Sequence, residues 1–186
     1  TLAARGVTSP DRARAFLSPS LEASWADPLG IPGMAQAADR VERALRGGES
    51  IAVFGDFDVD GMSATCLLTL ALRRLGGTVS PFIPHRFGEG YGLSREALER
   101  VIDGCHPDLV VTVDNGISSR DEVGWLVSQG IDGVVTDHHQ PSESVPEGVP
   151  VTDPKLRADG PSRELAGAGV ALKLVCELGR RMGQPG

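Results

Sequence analysis

At 186 residues, 40% of them hydrophobic, the chain fills one sizeable core, and its three cysteines are too scattered for a disulfide framework or a zinc knuckle. A formal net charge of −7 argues against a broad basic face for nucleic acid, although several acidic residues fall at strand ends where bound divalent ions would reverse the local sign. No apolar run is long enough to cross a bilayer and no signal-like segment opens the chain, so no membrane partner is expected and a reducing, cytoplasmic setting is.

Residues 1–33, interrupted by Pro10, Pro19, Pro28 and Pro32, read as an N-terminal extension of short helical turns and loop. Phe16, Leu17, Leu21 and Trp25 are its expected anchors, and residues 34–186 are the domain they pack on. Met34, Ala37, Ala38, Val41, Ala44 and Leu45 recur at helical spacing until Gly47-Gly48 stops the pattern. Ile51-Ala52-Val53-Phe54 is a buried strand. The helix after it runs from Met62 to Leu75, with Cys66, Leu67, Leu70, Ala71 and Leu75 inward and Arg73-Arg74 outward. A strand from Thr78 to Pro84 leads through a glycine-rich loop to a helix from Arg95 to Asp103, with Ser94 as N-cap. Strand Asp108 to Asp114, helix Ser119 to Gln129 and strand Ile131 to Thr136 continue the alternation. A surface loop then reaches Pro150, Val149 to Thr152 adds a short strand, and the last helix spans Ala168 to Met182. This order predicts an α/β fold, an open, mainly parallel sheet with helices on both faces. Starting at Thr1 and stopping soon after a helical pattern, the chain reads as an excised piece.

One residue type closes strand after strand. Asp56, Asp58 and Asp60 follow the first strand, Asp114 ends the third, Asp137-His138-His139 follows the fourth and Asp153 the fifth. In a parallel sheet these ends share the carboxyl edge, where open α/β folds place their ligands. Carboxylates crowded there repel one another unless a cation sits between them. The mixed oxygen and imidazole set suits Mn2+ or Mg2+ better than Ca2+. Two such ions about 3.5–4 Å apart clamp a phosphate and generate hydroxide at neutral pH, which makes phosphoester hydrolysis the expected reaction, with Asp114 able to bridge the pair. Alone, Asp60-Gly61 is more often a turn and a His-His pair more often a surface feature; three acidic strand ends together are not explained that way. Arg86 and Tyr91, beside His85, are candidates to grip phosphate and to stack on a base or sugar, against the reading of an ordinary loop with a buried tyrosine. Lys173 is a candidate phosphate contact near a helix start, against the simpler reading of a solvated lysine.

Asp56-Phe57-Asp58-Val59-Asp60-Gly61, Val113-Asp114-Asn115-Gly116 and Asp137-His138-His139 resemble the first three motifs of the DHH phosphoesterase superfamily. Pro84-His85-Arg86 with Glu89-Gly90-Tyr91-Gly92-Leu93, Leu165 to Lys173, and Phe16-Leu17-Ser18-Pro19 with Asp27-Pro28 resemble its RecJ branch. The resemblance implies a 5′→3′ exonuclease for single-stranded DNA, dependent on two Mn2+ or Mg2+ ions and acting in repair and recombination beside other repair proteins. It implies Asp58, Asp60, Asp114 and His138 as metal ligands and His139 at the scissile phosphate or leaving group. Asp56 and Asp137 become ligands or orienting partners, and His85, Arg86, Tyr91 and Lys173 substrate contacts. The chain departs from the pattern at Asn115, where Cys is commoner, and at Asp153-Pro154, where Asn-Pro is. The family's fourth motif, Gly-Thr-x-x-Asp, its second catalytic-core domain and its OB-fold lie beyond residue 186, so the piece is expected to be weak or inactive alone. The rival readings are a DHH phosphatase acting on short oligonucleotides or small nucleotides, and a non-catalytic scaffold in a replication or repair assembly.

Overall fold

The computed structural model describes residues 2–20, 24–84 and 92–184. Five parallel strands, β1 (Ser50–Phe54), β2 (Thr78–Phe82), β3 (Leu109–Val113), β4 (Asp132–Thr136) and β5 (Val151–Thr152), lie in the order β2-β1-β3-β4-β5. The helices are α1 (Pro10–Leu17), α2 (Met34–Gly47), α3 (Val59–Arg74), α4 (Arg95–Cys105), α5 (Arg120–Ser128) and α6 (Gly167–Arg181).

Successive strand side chains point to opposite faces, so each strand feeds two cores. Ile51, Val53, Val111, Val113 and Val134 pack against α2, α3 and α6 through residues such as Val41, Leu68, Leu72 and Leu174. Ala52, Phe54, Val110 and Val135 pack against α4 and α5 through Leu98, Val101, Val123 and Leu126. The chain passes from β1 to β2 on one side, then returns beyond β1 to β3 on the other. Right-handed crossovers put helices on opposite faces when the direction of travel reverses, which separates α3 from α4 and α5. The reversal leaves a crevice past the carboxyl ends of β1 and β3, the topological switch point of the sheet.

Two expectations about packing are corrected. The N-terminal segment contains a regular helix, α1, started by Pro10 and capped by Ser9, whose Oγ accepts from Arg12 N at 3.3 Å. It buries nothing: Phe16 and Leu17 are 52% and 68% exposed, so they are not anchors, while Leu21 falls outside the described residues. Trp25 does reach the body, together with the buried Ile31. The second correction concerns α3, which starts at Val59 and buries Gly61, Ala64, Thr65, Leu68, Thr69 and Leu72. Cys66 and Leu70 face outward instead, and Arg73 is held at the sheet by donating to Val79 O at 2.7 Å from Nη2. The helix is apolar nearly all round, so its periodicity did not select a face. Small residues face the sheet because α3 runs close to β1: a methyl on Gly55 would collide with Thr65, whose Oγ1 donates to Gly61 O at 2.7 Å.

Candidate metal centre

After β1 the chain turns sharply into α3, and carboxylates make the turn. Asp56, nearly buried, accepts from Phe57 N through Oδ1 at 2.7 Å. Asp58 is the N-cap of α3, its Oδ1 accepting from Gly61 N at 2.9 Å. Only glycine fits at 61, because a Cβ there would lie 2.6 Å from Asp56 N. Asp60 reaches across to the start of α6, where Gly167 N donates to Oδ2 at 2.7 Å and Ala168 N to Oδ1 at 2.8 Å. The residue before that helix, Ala166, has no capping side chain, so Asp60 satisfies two of its open N–H groups from another element.

Asp114, just past β3, adopts φ 62, a left-handed conformation that aspartate tolerates better than most residues. Its N–H is fixed to Thr136 O at 3.0 Å, and its side chain is buried. Gly167 faces it, and a Cβ on Gly167 would sit 2.7 Å from Asp114 Cγ. His138 Nε2 comes to 3.0 Å of Asp114 Oδ1 and 3.4 Å of Asp60 Oδ2. The approach to Asp114 is not aligned for a hydrogen bond, which leaves Oδ1 buried without one. Burial, opposed by His138 but reinforced by the charges of Asp60 and Asp58, pushes the Asp114 carboxyl above its usual range. Contact with Asp114 in turn raises His138, against burial and the neighbouring His139.

Asp137 works differently. Its Oδ1 accepts from His138 N at 2.7 Å, His139 N at 3.2 Å and His139 Nδ1 at 2.7 Å, while Oδ2 accepts from Ile117 N at 3.0 Å. Burial alone would raise this carboxyl, but the bonds from His139, Ile117 and His138 outweigh it and hold the group below its usual range. The same contact raises His139 to about 9 and turns its Nε2 away from Asp137. Asp153 is fully buried at the end of β5. Its Oδ1 accepts from Lys155 N at 2.6 Å, Oδ2 has no partner, and burial pushes it up to about 6.

Among the described residues two sets of ligand atoms emerge, Asp56 with Asp58 and Asp114, and Asp114 with His138 and His139, each set within 4.8 Å. They share Asp114. An orphaned buried oxygen, a facing imidazole and oxygen-rich neighbours fit hard divalent cations. A cavity of about 300 Å3 opens over the first set, lined among others by Gly92, Gly116, Ser119 and His139. Of the residues singled out in the sequence, Asp56, Asp58, Asp114, Asp137, His138 and His139 therefore meet at one place, with Asp60 bound to α6 beside them. His85, Arg86 and Tyr91 lie outside the described residues. Lys173 departs from both of its readings: it is buried, its Nζ donates to Ala26 O and lies 3.4 Å from the Trp25 ring centre. It ties the N-terminal segment to α6, and its ammonium is buried against that segment instead of facing phosphate. Nothing in the sequence marked the Gly167 and Ala168 amides as partners of Asp60, or the buried bond that Asn115 Nδ2 donates to Val113 O at 3.0 Å.

The geometry has counterparts among known proteins. The chain is 37% identical over 178 residues to the single-stranded-DNA-specific exonuclease RecJ of Bacillus subtilis, covering 95% of this chain and 22% of that protein. A crystal structure of exonuclease RecJ bound to manganese superposes with a TM-score of 0.76 at 41% identity, over 83% of this chain and 39% of that one. RecJ of Thermus thermophilus in complex with Mn2+ gives a TM-score of 0.75 at 33% identity, over 99% of this chain and 27% of that one. The chain spans about a quarter of the length of the curated relatives it matches. Residues 50–185, which hold the sheet and every carboxylate of the centre, match the DHH family, N-terminal domain, and the chain belongs to that family.

Proposed function

We propose that this chain carries the metal-binding part of a 5′→3′ exonuclease that hydrolyses single-stranded DNA with Mn2+ or Mg2+, in a cytoplasmic setting. The observation that carries the reading is Asp114, a buried carboxylate shared by two ligand sets and left without an aligned hydrogen bond. Relatives described as single-stranded-DNA-specific exonucleases, and one crystallised with manganese, support the substrate and the ion. Asp56, Asp58 and Asp114 would hold one ion and Asp114 with His138 the other, with Asp60 beside them and His139 left for the phosphate. Bound there, the ions supply positive charge to the scissile phosphate and lower the pKa of water to near neutrality.

The chain's own residues supply orientation. Asp137 fixes His139 through Nδ1, so Nε2 is presented to the crevice, where a protonated ring donates a hydrogen bond or a proton to a phosphate or leaving oxygen. Asp58 and Asp60 are immobilised by helix N-termini, which keeps their remaining lone pairs in place without solvent rearrangement. The test is manganese-binding calorimetry on this chain beside Asp58→Ala and His138→Ala, followed by digestion of an end-labelled single strand. Binding that both variants lose, with shortening from the 5′ end, is the expected result. Manganese binding unchanged in both variants would sink the assignment.

A further inference from the structure

We infer that Lys155 is a substrate contact, a fixed cation that holds a backbone phosphate of the single strand next to the one cleaved. The inference rests on the nuclease reading above and adds a subsite to it. A strand entering this crevice feels the negative field of Asp56, Asp58, Asp60, Asp114 and Asp137, and ions at the centre answer only for the scissile phosphate. A neighbouring phosphate needs a cation of the protein's own. Lys173 is not available, being buried against Ala26 and Trp25.

Among the described residues, the other cations in the loops after the strands are engaged. Arg120 pairs with Glu147 at 3.0 Å, Arg157 with Asp159 at 3.5 Å and Arg163 with Glu164 at 4.0 Å, while Arg95 lies over Trp125. Lys155 alone of this group forms no ion pair among the described residues. Its position is built. β4 and β5 pair Thr136 with Thr152, and Asp137 N donates to Thr152 O at 3.0 Å, so residues 137–139 and 153–155 leave the sheet side by side. Asp153, itself fully buried, grips Lys155 N at 2.6 Å at the head of the turn Pro154–Leu156. The half-buried lysine is thus anchored by its backbone alongside residues 137–139, and its ammonium forms no ion pair among the described residues.

The test is binding of a phosphorothioate deoxythymidine strand to the whole chain in Mn2+, read by fluorescence anisotropy across a salt series, for Lys155→Ala and Lys155→Arg. One phosphate contact contributes about 0.7 to the slope of log affinity against log salt for single strands. Lys155→Ala should therefore flatten the slope by about 0.7 and weaken binding about five-fold at 0.1 M salt, while Lys155→Arg keeps the wild-type slope. Manganese calorimetry should not change in either, and the backbone cap from Asp153 survives both substitutions. A wild-type slope in Lys155→Ala, with or without a lowered melting temperature, would overturn the subsite and leave the nuclease reading standing. Failure of the unaltered chain to bind the strand at all would overturn both.

Discussion

Asp114 gathers three unfavourable features at one position: a left-handed backbone, a buried charge and two carboxylate neighbours in Asp58 and Asp60. Strain and mutual repulsion of this kind persist where function requires them, and a residue freed of them should make the metal-free protein more stable. Asparagine tests this, because it tolerates the left-handed region and keeps the shape while removing the charge. In chelator, Asp114→Asn should melt at or above the wild-type temperature, by a few degrees if about 1 kcal/mol of repulsion is relieved. With Mn2+ present, the wild type should gain stability by mass action and the variant should not. Thermal melts with and without the ion measure both, and a destabilised Asp114→Asn in chelator would contradict the repulsion argument. At this scale the sequence was informative about which groups meet, since Asp58, Asp114 and His138 were each marked by a strand end. The resemblance left Asp137 open between ligand and orienting partner. That Asp137 directs its oxygens to His139, Ile117 and the following amides depends on a loop path that no local pattern encodes.

Among the elements, α6 is the one whose docking the centre controls. Its first turn lacks a local cap, and Asp60, 107 residues earlier, takes both amides. Capping interactions are worth about 0.5–2 kcal/mol. Asp60→Ala should therefore lower the melting temperature by several degrees, partly offset by relief of the charge facing Asp114. Amide hydrogen exchange at Gly167 and Ala168 isolates the local effect: it should accelerate in Asp60→Ala and stay near wild type in Asp58→Ala, whose lost cap belongs to α3. Equal protection of those two amides in all three proteins would refute the cross-element cap. The helices themselves were largely legible, α2 and α4 because Met34 to Leu45 and the Ser94 cap carry unmistakable spacing. The face of α3 was not. Leu67 and Leu75 do pack partly against the core, but Cys66 and Leu70 face out, because the close approach to β1 at Gly55 puts Ala64 and Thr65, with Leu68 and Leu72, on the buried side. For the same reason Lys173 was misread: its partners, Trp25 and Ala26, come from a segment whose fold was not visible in its scattered prolines.

In the whole molecule, charge is arranged in two opposed ways, and their titrations should separate. The carboxyl edge holds, beside Asp137, which is kept ionised by its bonds, two carboxyls that dislike being ionised: Asp114, and Asp153 raised to about 6 by burial, against its bond from Lys155 N, and by Asp137. A group whose folded pKa lies above its unfolded value stabilises fully below the unfolded value, near 4, and that contribution is lost as pH rises through about 6. On the far side of the sheet's core, Glu177 is held below its usual range by bonds from Arg180, against burial, and from Arg181, which also pairs with Asp39 and Glu42 and so binds α6 to α2. Its sign is the reverse: the contribution is present above the unfolded value, about 4.5, and is lost as pH falls through the lower folded one. Metal-free protein should accordingly grow more stable as pH drops from 7 to 5, by an amount on the order of 2 kcal/mol, and then lose stability below about 4.5. Asp153→Asn should flatten the upper limb and raise stability at pH 7, whereas Glu177→Gln should lower stability at pH 7 and flatten the acid limb. Denaturant melts in chelator across pH 3.5 to 7.5 would measure both limbs. An unaltered chain whose stability falls steadily from pH 7 to 5 would show that the crowded edge does not strain the fold when empty of ions, and would remove the energetic argument for divalent cations there.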